Sequence, residues 1–212
     1  MTASKPRRSP KPQKRQRDAD RTRRLILDAA MAEFAAHGYA GARIAAIAAR
    51  AGVNQQLISY YFDGKEGLYQ AMSEGWGRRQ SELVAPGTPL PEQLRRYVLE
   101  VLSGREGMRL LAWSGLEYDG PDSDPDHASR ARRLGGAVEQ IERLRTSGEL
   151  PAWVDPECLT VMVMAAAMAP VTLPHVIEGL AGADPESPEF VKRYADQLAQ
   201  LIDHLNPASR GR

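Results

Sequence analysis

Helical periodicity runs through nearly every segment of this 212-residue chain, and no stretch has the alternating pattern of a β-strand. Between turn signals rich in Gly and Pro, apolar residues recur three and four positions apart, as at Ile26, Ala30 and Phe34. The predicted helices are at about 20–36, 44–51, 55–62, 63–84, 91–103, 105–118, 126–147, 155–169, 171–181 and 187–205. The sequence therefore predicts an all-α fold.

Turn and capping residues set the predicted boundaries of the first four helices. Gly38 and Gly52 are expected to stop the first and second helices, because glycine accepts the backbone angles of a helix end. Asn54 is expected to cap the third helix with its side chain. Asp63 and Glu66, three residues apart, predict a capping box at the start of the fourth helix.

Charge is distributed unevenly along the chain. Residues 1–70 contain 13 Lys/Arg and 6 Asp/Glu, a balance of +7, whereas residues 71–212 contain 15 and 21, a balance of −6. Such asymmetry indicates that one end meets a polyanion. Residues 1–17 hold seven Lys/Arg, no acidic residue and three prolines, which predicts a disordered basic tail. A tail that only increases solubility is the alternative.

Several classes of protein are excluded by composition. The longest apolar run, 161–169, ends at Pro170 and is shorter than the ~20 residues of a membrane span, so no membrane association is expected. The N-terminal residues lack the apolar stretch that a secretory signal peptide requires. The single cysteine, Cys158, permits no internal disulfide, which fits a cytoplasmic location.

Residues 43–62 have the spacing that a helix-turn-helix requires; they read RIAAIAARAGVNQQLISYYF. Two short helices that cross steeply need a small residue at their contact and a turn residue that accepts positive φ, and Ala48 and Gly52 meet these needs. The apolar residues predicted to hold this hairpin onto the first helix are Ile47, Val53 and Ile58.

Polar residues on the outer side of this hairpin are candidates for contact with double-stranded DNA. A recognition helix presents its N-terminal residues to base edges in the major groove. The predicted groove-facing residues are Gln55, Gln56, Ser59 and Tyr60, and the predicted phosphate-contacting residues are Arg43, Tyr61 and Lys65. Glutamine can pair with adenine through two hydrogen bonds, and Lys65 lies in the first turn of a helix, where an anion is favoured.

The stretch from Thr22 to Leu68 resembles the N-terminal domain of the TetR family of bacterial transcriptional regulators. The residues that carry the resemblance are the Ala29-Ala30 pair, Phe34, His37-Gly38-Tyr39, Ile47-Ala48, Ala51-Gly52-Val53, Tyr61-Phe62, Lys65-Glu66 and Leu68. The resemblance matches Lys65 to the family's phosphate-contacting lysine. It implies a homodimeric repressor that binds operator DNA and is released by a small ligand. Ser59 stands where the family often has a tyrosine, so the phosphate role of that tyrosine passes to Tyr60 or Tyr61.

The resemblance also divides the chain. It implies a basic tail at 1–17, a three-helix helix-turn-helix domain at 18–80, a helical effector-binding and dimerisation domain at 81–205 and a disordered tail at 206–212. Dimerisation is expected through the last two long helices. The residues of the apolar stripe at 187–205 are Phe190, Tyr194, Leu198, Leu201, Ile202 and Leu205, and either a second subunit or the monomer's own core could cover this stripe.

Large, adaptable apolar residues are frequent in the central helices; they are Met108, Leu111, Trp113, Leu116, Trp153, Met162, Met164 and Met168. Such residues suit a pocket for an apolar or aromatic effector, although core packing is the simpler explanation for any single one of them. Trp113 and Met162 are the two residues predicted to contact the effector.

Catalysis is the rival class of function, and the residues give it little support. The four histidines are scattered, Cys158 has no histidine near it in sequence, and no phosphate-binding glycine motif is present. The prediction is therefore a non-enzyme without a cofactor or metal site. A constitutive or architectural DNA-binding protein, held on DNA by its basic tail, remains the alternative within the DNA-binding class.

Overall fold

The computed structural model describes residues 12–85 and 87–206, and this part of the chain forms ten α-helices and no β-strand. The helices are α1 (Pro12–Gly41), α2 (Ile44–Ala51), α3 (Gln55–Phe62), α4 (Gly64–Glu82), α5 (Leu90–Leu99), α6 (Val101–Leu116), α7 (His127–Thr146), α8 (Pro156–Thr172), α9 (Pro174–Ala181) and α10 (Pro188–Asp203). The all-α prediction is confirmed, and the six helices of the C-terminal half begin and end within four residues of their predicted bounds.

The first helix is longer than the sequence predicts, because α1 begins at Pro12 and not near Asp20. Proline is tolerated in the first turn of a helix, where backbone N–H groups have no intrahelical partner. Gln16 Nε2 donates to Asp20 Oδ1 at 3.1 Å, and Thr22 Oγ1 donates to the carbonyl of Asp18 at 2.8 Å. The contact between the Gln16 and Asp20 side chains, four residues apart, is of the kind that stabilises a helix.

The two predicted tails lie mostly beyond the described residues. The prediction of a disordered tail at 1–17 is wrong for residues 12–17, which are helical, and residues 1–11 lie outside the described part of the chain. In the predicted tail at 206–212, only Asn206 is described.

Gly38 bends α1 near its end. Its φ of +70° and ψ of −179° break the helical geometry, so the regular helix stops at Gly38 as predicted, and a short helical segment continues beyond the kink to Gly41. The carboxylate of Glu117, directly after α6, accepts hydrogen bonds from the backbone N–H groups of Tyr39 at 2.8 Å and Ala40 at 3.3 Å. A Cβ at position 38 would overlap this carboxylate. The position therefore requires glycine both for its backbone angles and for the close approach of Glu117.

Replacing Gly38 by alanine should lower the free energy of unfolding by about 1–3 kcal/mol, the usual cost of a backbone conformation that only glycine adopts readily. Urea denaturation followed by circular dichroism measures this change. The matched control is Gly136→Ala in α7, where an added Cβ meets open space and alanine should be neutral or stabilising. Equal stability of Gly38→Ala and the unaltered protein would contradict the argument.

The helix-turn-helix forms as predicted. Gly52 caps α2 with a φ of +66°, and the Asn54 side chain accepts a hydrogen bond from the backbone N–H of Gln56 at 3.0 Å at the start of α3. Ile47 and Ile58 are fully buried, and Val53 packs against the same core. The turn chemistry and the apolar contacts that were predicted for this hairpin are confirmed.

Asp63 ends α3 and does not cap α4 with its side chain. Its φ is +58°, its N–H donates to the carbonyl of Ser59 at 3.0 Å, and its side chain makes no capping hydrogen bond. A capping side chain reaches the first turn from an extended backbone, whereas Asp63 is in the left-handed conformation. The predicted capping box of Asp63 and Glu66 is therefore wrong.

The first four helices enclose one core, and α6 contributes to it. The fully buried residues of this core are Ile26, Phe34, Ile47, Ile58 and Leu68. Leu110 of α6 belongs to the same apolar cluster. The helix-turn-helix region is therefore attached to the C-terminal half by shared packing as well as by the Glu117 hydrogen bonds.

The apolar stripe on α10 is largely covered within the monomer, against α5 and α8. Of its six residues, Phe190 and Ile202 are buried, and Tyr194, Leu198 and Leu205 are partly buried against the same core. Leu201 remains 67% exposed. Of the two explanations that the sequence left open for the stripe, burial in the chain's own core accounts for most of it.

The helix α8 continues through Pro170 to Thr172, three residues beyond its predicted end. Within the described ranges, no single helix combines the length and apolar content needed to cross a membrane. Only α8 and α9 taken together meet both criteria, and they are bent by 76° relative to each other.

Candidate nucleic-acid interface and ligand cavity

The exposed side of α3 gathers the four predicted groove-facing residues. Gln55, Gln56, Ser59 and Tyr60 are all exposed, and the Tyr60 side chain is 79% accessible to solvent. The opposite side of α3 is anchored in the core by Ile58. The helix therefore presents a row of hydrogen-bonding groups on a fixed backbone, which is the arrangement that base recognition in the major groove needs.

The three predicted phosphate-contacting residues lie in α3 and at the starts of α2 and α4. Lys65 Nζ donates to the carbonyl of Ala40 at 3.2 Å and lies 4.9 Å from the centre of the Tyr39 ring. An ammonium group has three donors, so two remain for a phosphate. The Tyr61 ring packs edge-on against Tyr60 with centroids 5.2 Å apart. Arg43 is exposed at the start of α2.

Arg23 is a candidate phosphate contact that the sequence reasoning missed. Its guanidinium lies 4.6 Å above the centre of the Phe62 ring and donates to the carbonyl of Tyr61 at 3.4 Å. These contacts hold an exposed positive charge beside the C-terminal end of α3. The excess of arginine at the start of α1 was the available signal, but spacing within α1 could not place one of these residues next to α3.

A cavity of about 600 Å³ lies between helices α4, α5, α6, α7 and α8. Its apolar lining includes Leu94, Met108, Leu111, Val163, Met164 and Met168. This volume is within the ~300–1,000 Å³ of sites for small molecules. Four of the eight large apolar residues noted in the sequence line it, namely Met108, Leu111, Met164 and Met168.

Trp113 and Met162, the two residues predicted to contact an effector, do not line this cavity. Trp113 is half-buried elsewhere on α6, and Met162 is 65% exposed on the outer face of α8. Helical periodicity places apolar residues on a face, but it does not separate a cavity wall from other apolar surfaces.

Polar groups enter the cavity wall at a few positions. Trp76 Nε1 and Gln80 Nε2 are buried donors that have no hydrogen-bond partner among the described residues. Burial raises the pKa of the Tyr97 phenol above its ordinary value. An apolar cavity with a few hydrogen-bonding groups can bind and orient a small organic molecule. None of these polar residues was singled out in the sequence, because helices distant in the chain bring them together.

Both halves of the chain match family models. The model described as bacterial regulatory proteins, tetR family, matches residues 26–72. A tetracyclin repressor-like C-terminal domain matches residues 90–200. The chain belongs to the TetR family. The resemblance noted in the helix-turn-helix therefore extends over the C-terminal half of this TetR-family regulator.

Two curated relatives are similar over most of their length. The HTH-type transcriptional repressor SCO4008 of Streptomyces coelicolor is 34% identical over 194 residues, which cover 88% of this chain and 97% of the relative. The HTH-type transcriptional regulator RutR of Escherichia coli K12 is 41% identical over 204 residues, which cover 89% and 92%. Both relatives are named as DNA-binding regulators of transcription.

Solved structures share the fold of this TetR-family chain. The transcriptional regulator SCO4942 of Streptomyces coelicolor aligns with a TM-score of 0.71 at 24% identity, covering 88% of this chain and 98% of that one. The regulator FadR of Bacillus subtilis, solved in complex with stearoyl-CoA, aligns with a TM-score of 0.61 at 19% identity, covering 84% and 96%.

A buried polar cluster joins α4 to α7 beside the cavity. Asp126, only 2% exposed, accepts hydrogen bonds at Oδ2 from Ser73 Oγ at 2.7 Å and from Arg133 Nη2 at 2.6 Å. Arg130 pairs with Asp124 at 2.7 Å. Arg130 and Arg133 also line the cavity. In this TetR-family regulator, α4 follows the helix-turn-helix and is joined to α7 through the carboxylate of Asp126, which accepts from Ser73 of α4 and from Arg133 of α7.

Proposed function

We propose that this chain is a ligand-released repressor, which binds operator DNA as a homodimer and leaves it when a small, mainly apolar effector occupies the cavity. The observation that carries this proposal is the position of α4. Its first turn holds Lys65 beside α3, and its later residues Trp76, Gly77 and Gln80 line the cavity. One rigid helix therefore belongs to both sites.

Sequence recognition is assigned to α3 and its neighbours. Gln55, Gln56, Ser59 and Tyr60 are placed against base edges, and Arg43, Tyr61, Lys65 and Arg23 against phosphates. Base contacts supply specificity, whereas phosphate contacts fix the register of the protein on the duplex. The exposure of the first group and the placement of the second around α3 support this division.

The homodimer is assigned to the outer faces of α8 and α10. Val161, Met162 and Leu201 are exposed apolar residues on these helices. Val163 and Ile202 belong to one buried cluster beneath them. Two recognition helices must lie about 34 Å apart to enter successive major grooves, and a dimer provides that spacing.

The effector mechanism follows from differential binding. A ligand shifts a conformational equilibrium only when it binds one conformation more tightly than the other. A ligand in the cavity contacts α4 on one side and α8 on the other, so it favours an arrangement of these helices that fits its shape. Release follows when that arrangement has the wrong spacing between the two recognition helices.

The test is fluorescence anisotropy of the full chain with DNA fragments from around its own gene, in the presence of competitor DNA and with salt varied. We expect binding by a dimer that resists random competitor DNA. Binding that random DNA removes equally well would contradict the proposal and would favour the tail-driven, constitutive binder. The same titration, repeated with small apolar compounds, identifies effectors.

Removal of residues 1–11 separates these two possibilities further, because it leaves α1 complete. For a repressor, the deletion weakens binding and reduces the slope of affinity against salt concentration, while preference for the operator is retained. For a tail-driven binder, nearly all binding is lost.

A further inference from the structure

A second cleft lies on the other side of α4 from the cavity. It has a volume of about 350 Å³ and lies between α1, α4 and α6. Trp76 and Arg78 line both the cavity and this cleft. The two spaces therefore share part of one wall.

The cleft carries an excess of positive charge. Its charged residues are Arg23, Arg24, Arg78, Arg79, Asp28 and Glu106. None of the four arginines forms an ion pair with a described residue. In the cavity, by contrast, Arg130 and Arg133 are neutralised by Asp124 and Asp126. The arginine charge that has no ion-pair partner thus lies on the wall shared by the two spaces and in the cleft, and not in the rest of the cavity.

Trp76 forms part of that boundary. Its indole packs directly against Gly107 of α6, where any larger residue would displace it. The indole Nε1 and the nearby buried donor Gln80 Nε2 both lack a hydrogen-bond acceptor within the described residues. Both donor atoms are closed off from solvent, so recognition of a ligand at this boundary depends on the arginines.

We propose that the effector is an anionic amphiphile. Its apolar body occupies the cavity, and its anionic end reaches Arg78, which lines both spaces, and Arg79 in the cleft. This inference rests on the proposed function only in treating the cavity as the effector site. It specifies that effector further, since apolar character alone does not explain the arginines of the cleft.

The experiment is isothermal titration calorimetry of the full chain without DNA, below the micellar range of each ligand. Decanoate and decyl phosphate are compared with decanamide, which has a similar chain and an acceptor oxygen but no charge. We expect both anions to bind at least tenfold more tightly than decanamide, with a preference that falls as salt is added. Equal affinity of the three compounds, or binding by none of them, would overturn the proposal.

The variants assign the preference to particular residues. The double substitution Arg78→Gln and Arg79→Gln should reduce the preference for anions to less than threefold while decanamide still binds. The matched control, Arg132→Gln with Arg143→Gln, removes the same two charges from exposed sites on α7 that line neither space, and it should keep the full preference. A full preference in the double variant would refute the assignment. Because Arg78 and Arg79 are exposed, both variants should unfold at the temperature of the unaltered protein.

Failure of this inference is distinguishable from failure of the proposed function. If the chain binds anions selectively but shows no preference for operator DNA, the proposed ligand site stands and the proposed repressor function fails. If the chain binds operator DNA but none of the three amphiphiles, the repressor function stands and the proposed class of effector fails.

Discussion

Substitution of Gln55, Gln56 and Tyr60 together by alanine should lower the affinity for operator DNA by at least about 100-fold, while affinity for random DNA changes little. A good two-bond pairing between a side chain and a base contributes about 1–3 kcal/mol of discrimination, and about 1.4 kcal/mol corresponds to a tenfold change. Loss of two such pairings accounts for the expected factor. Anisotropy titrations against operator and random fragments measure both affinities.

Two controls accompany this variant. Thr146→Ala changes an exposed polar residue at the end of α7, outside both the proposed DNA contacts and the proposed dimer faces, and should leave operator affinity unchanged. The free energy of unfolding of the triple variant should stay within about 0.5 kcal/mol of the original value, as is usual for exposed sites. Operator preference retained by the triple variant would show that other residues read the sequence.

Substitution of Asp126 by alanine should lower the free energy of unfolding by about 2–3 kcal/mol, because it leaves the buried Ser73 hydroxyl and the partly exposed Arg133 guanidinium without their acceptor. Asp126 is 2% exposed, and Arg133 pairs with it at 2.6 Å. Arg130 still pairs with Asp124 in this variant, so the interactions that are lost are mainly those of Arg133 and Ser73 with the Asp126 carboxylate. Urea denaturation provides the measurement.

The loop between α6 and α7, which contains Asp126, also supplies the control for this prediction. Asp122 is exposed and forms no ion pair with a described residue, so Asp122→Ala should change the free energy of unfolding by less than about 0.5 kcal/mol. Asp126→Asn keeps an acceptor oxygen for Ser73 and should be less damaging than Asp126→Ala. If Asp126→Ala proved as stable as Asp122→Ala, the cluster would have no structural importance.

Local chemistry explains why the helix-turn-helix was predictable. The positive φ of Gly52, the cap at Asn54 and the buried pair Ile47 and Ile58 all depend on residues within about three turns of helix. The same kind of reasoning failed at Asp63, since two capping patterns compete there and the end of α3 determines the backbone. It also missed the first turns of α1, because charge and proline content predicted disorder where side-chain contacts form a helix.

The ligand cavity could not be located from sequence for a different reason. Trp76, Tyr97 and Arg133 come from three helices, and no local pattern encodes their meeting. Ser73 and Asp126 are 53 positions apart and still form a 2.7 Å hydrogen bond. Periodicity identified which faces of these helices are apolar, but the arrangement of the helices decides that Met164 lines the cavity and Met162 faces outward.

The backbone of Ala40 is held from two directions. Its N–H donates to Glu117, which belongs to the C-terminal half, and its carbonyl accepts from Lys65, which belongs to the DNA-binding half. This single peptide segment limits how freely the halves can be exchanged between regulators. A chimaera that grafts residues 12–82 onto another family member's ligand-binding half should need a carboxylate in the place of Glu117, because without it the Gly38 kink would lose the acceptor for the two N–H groups that follow it.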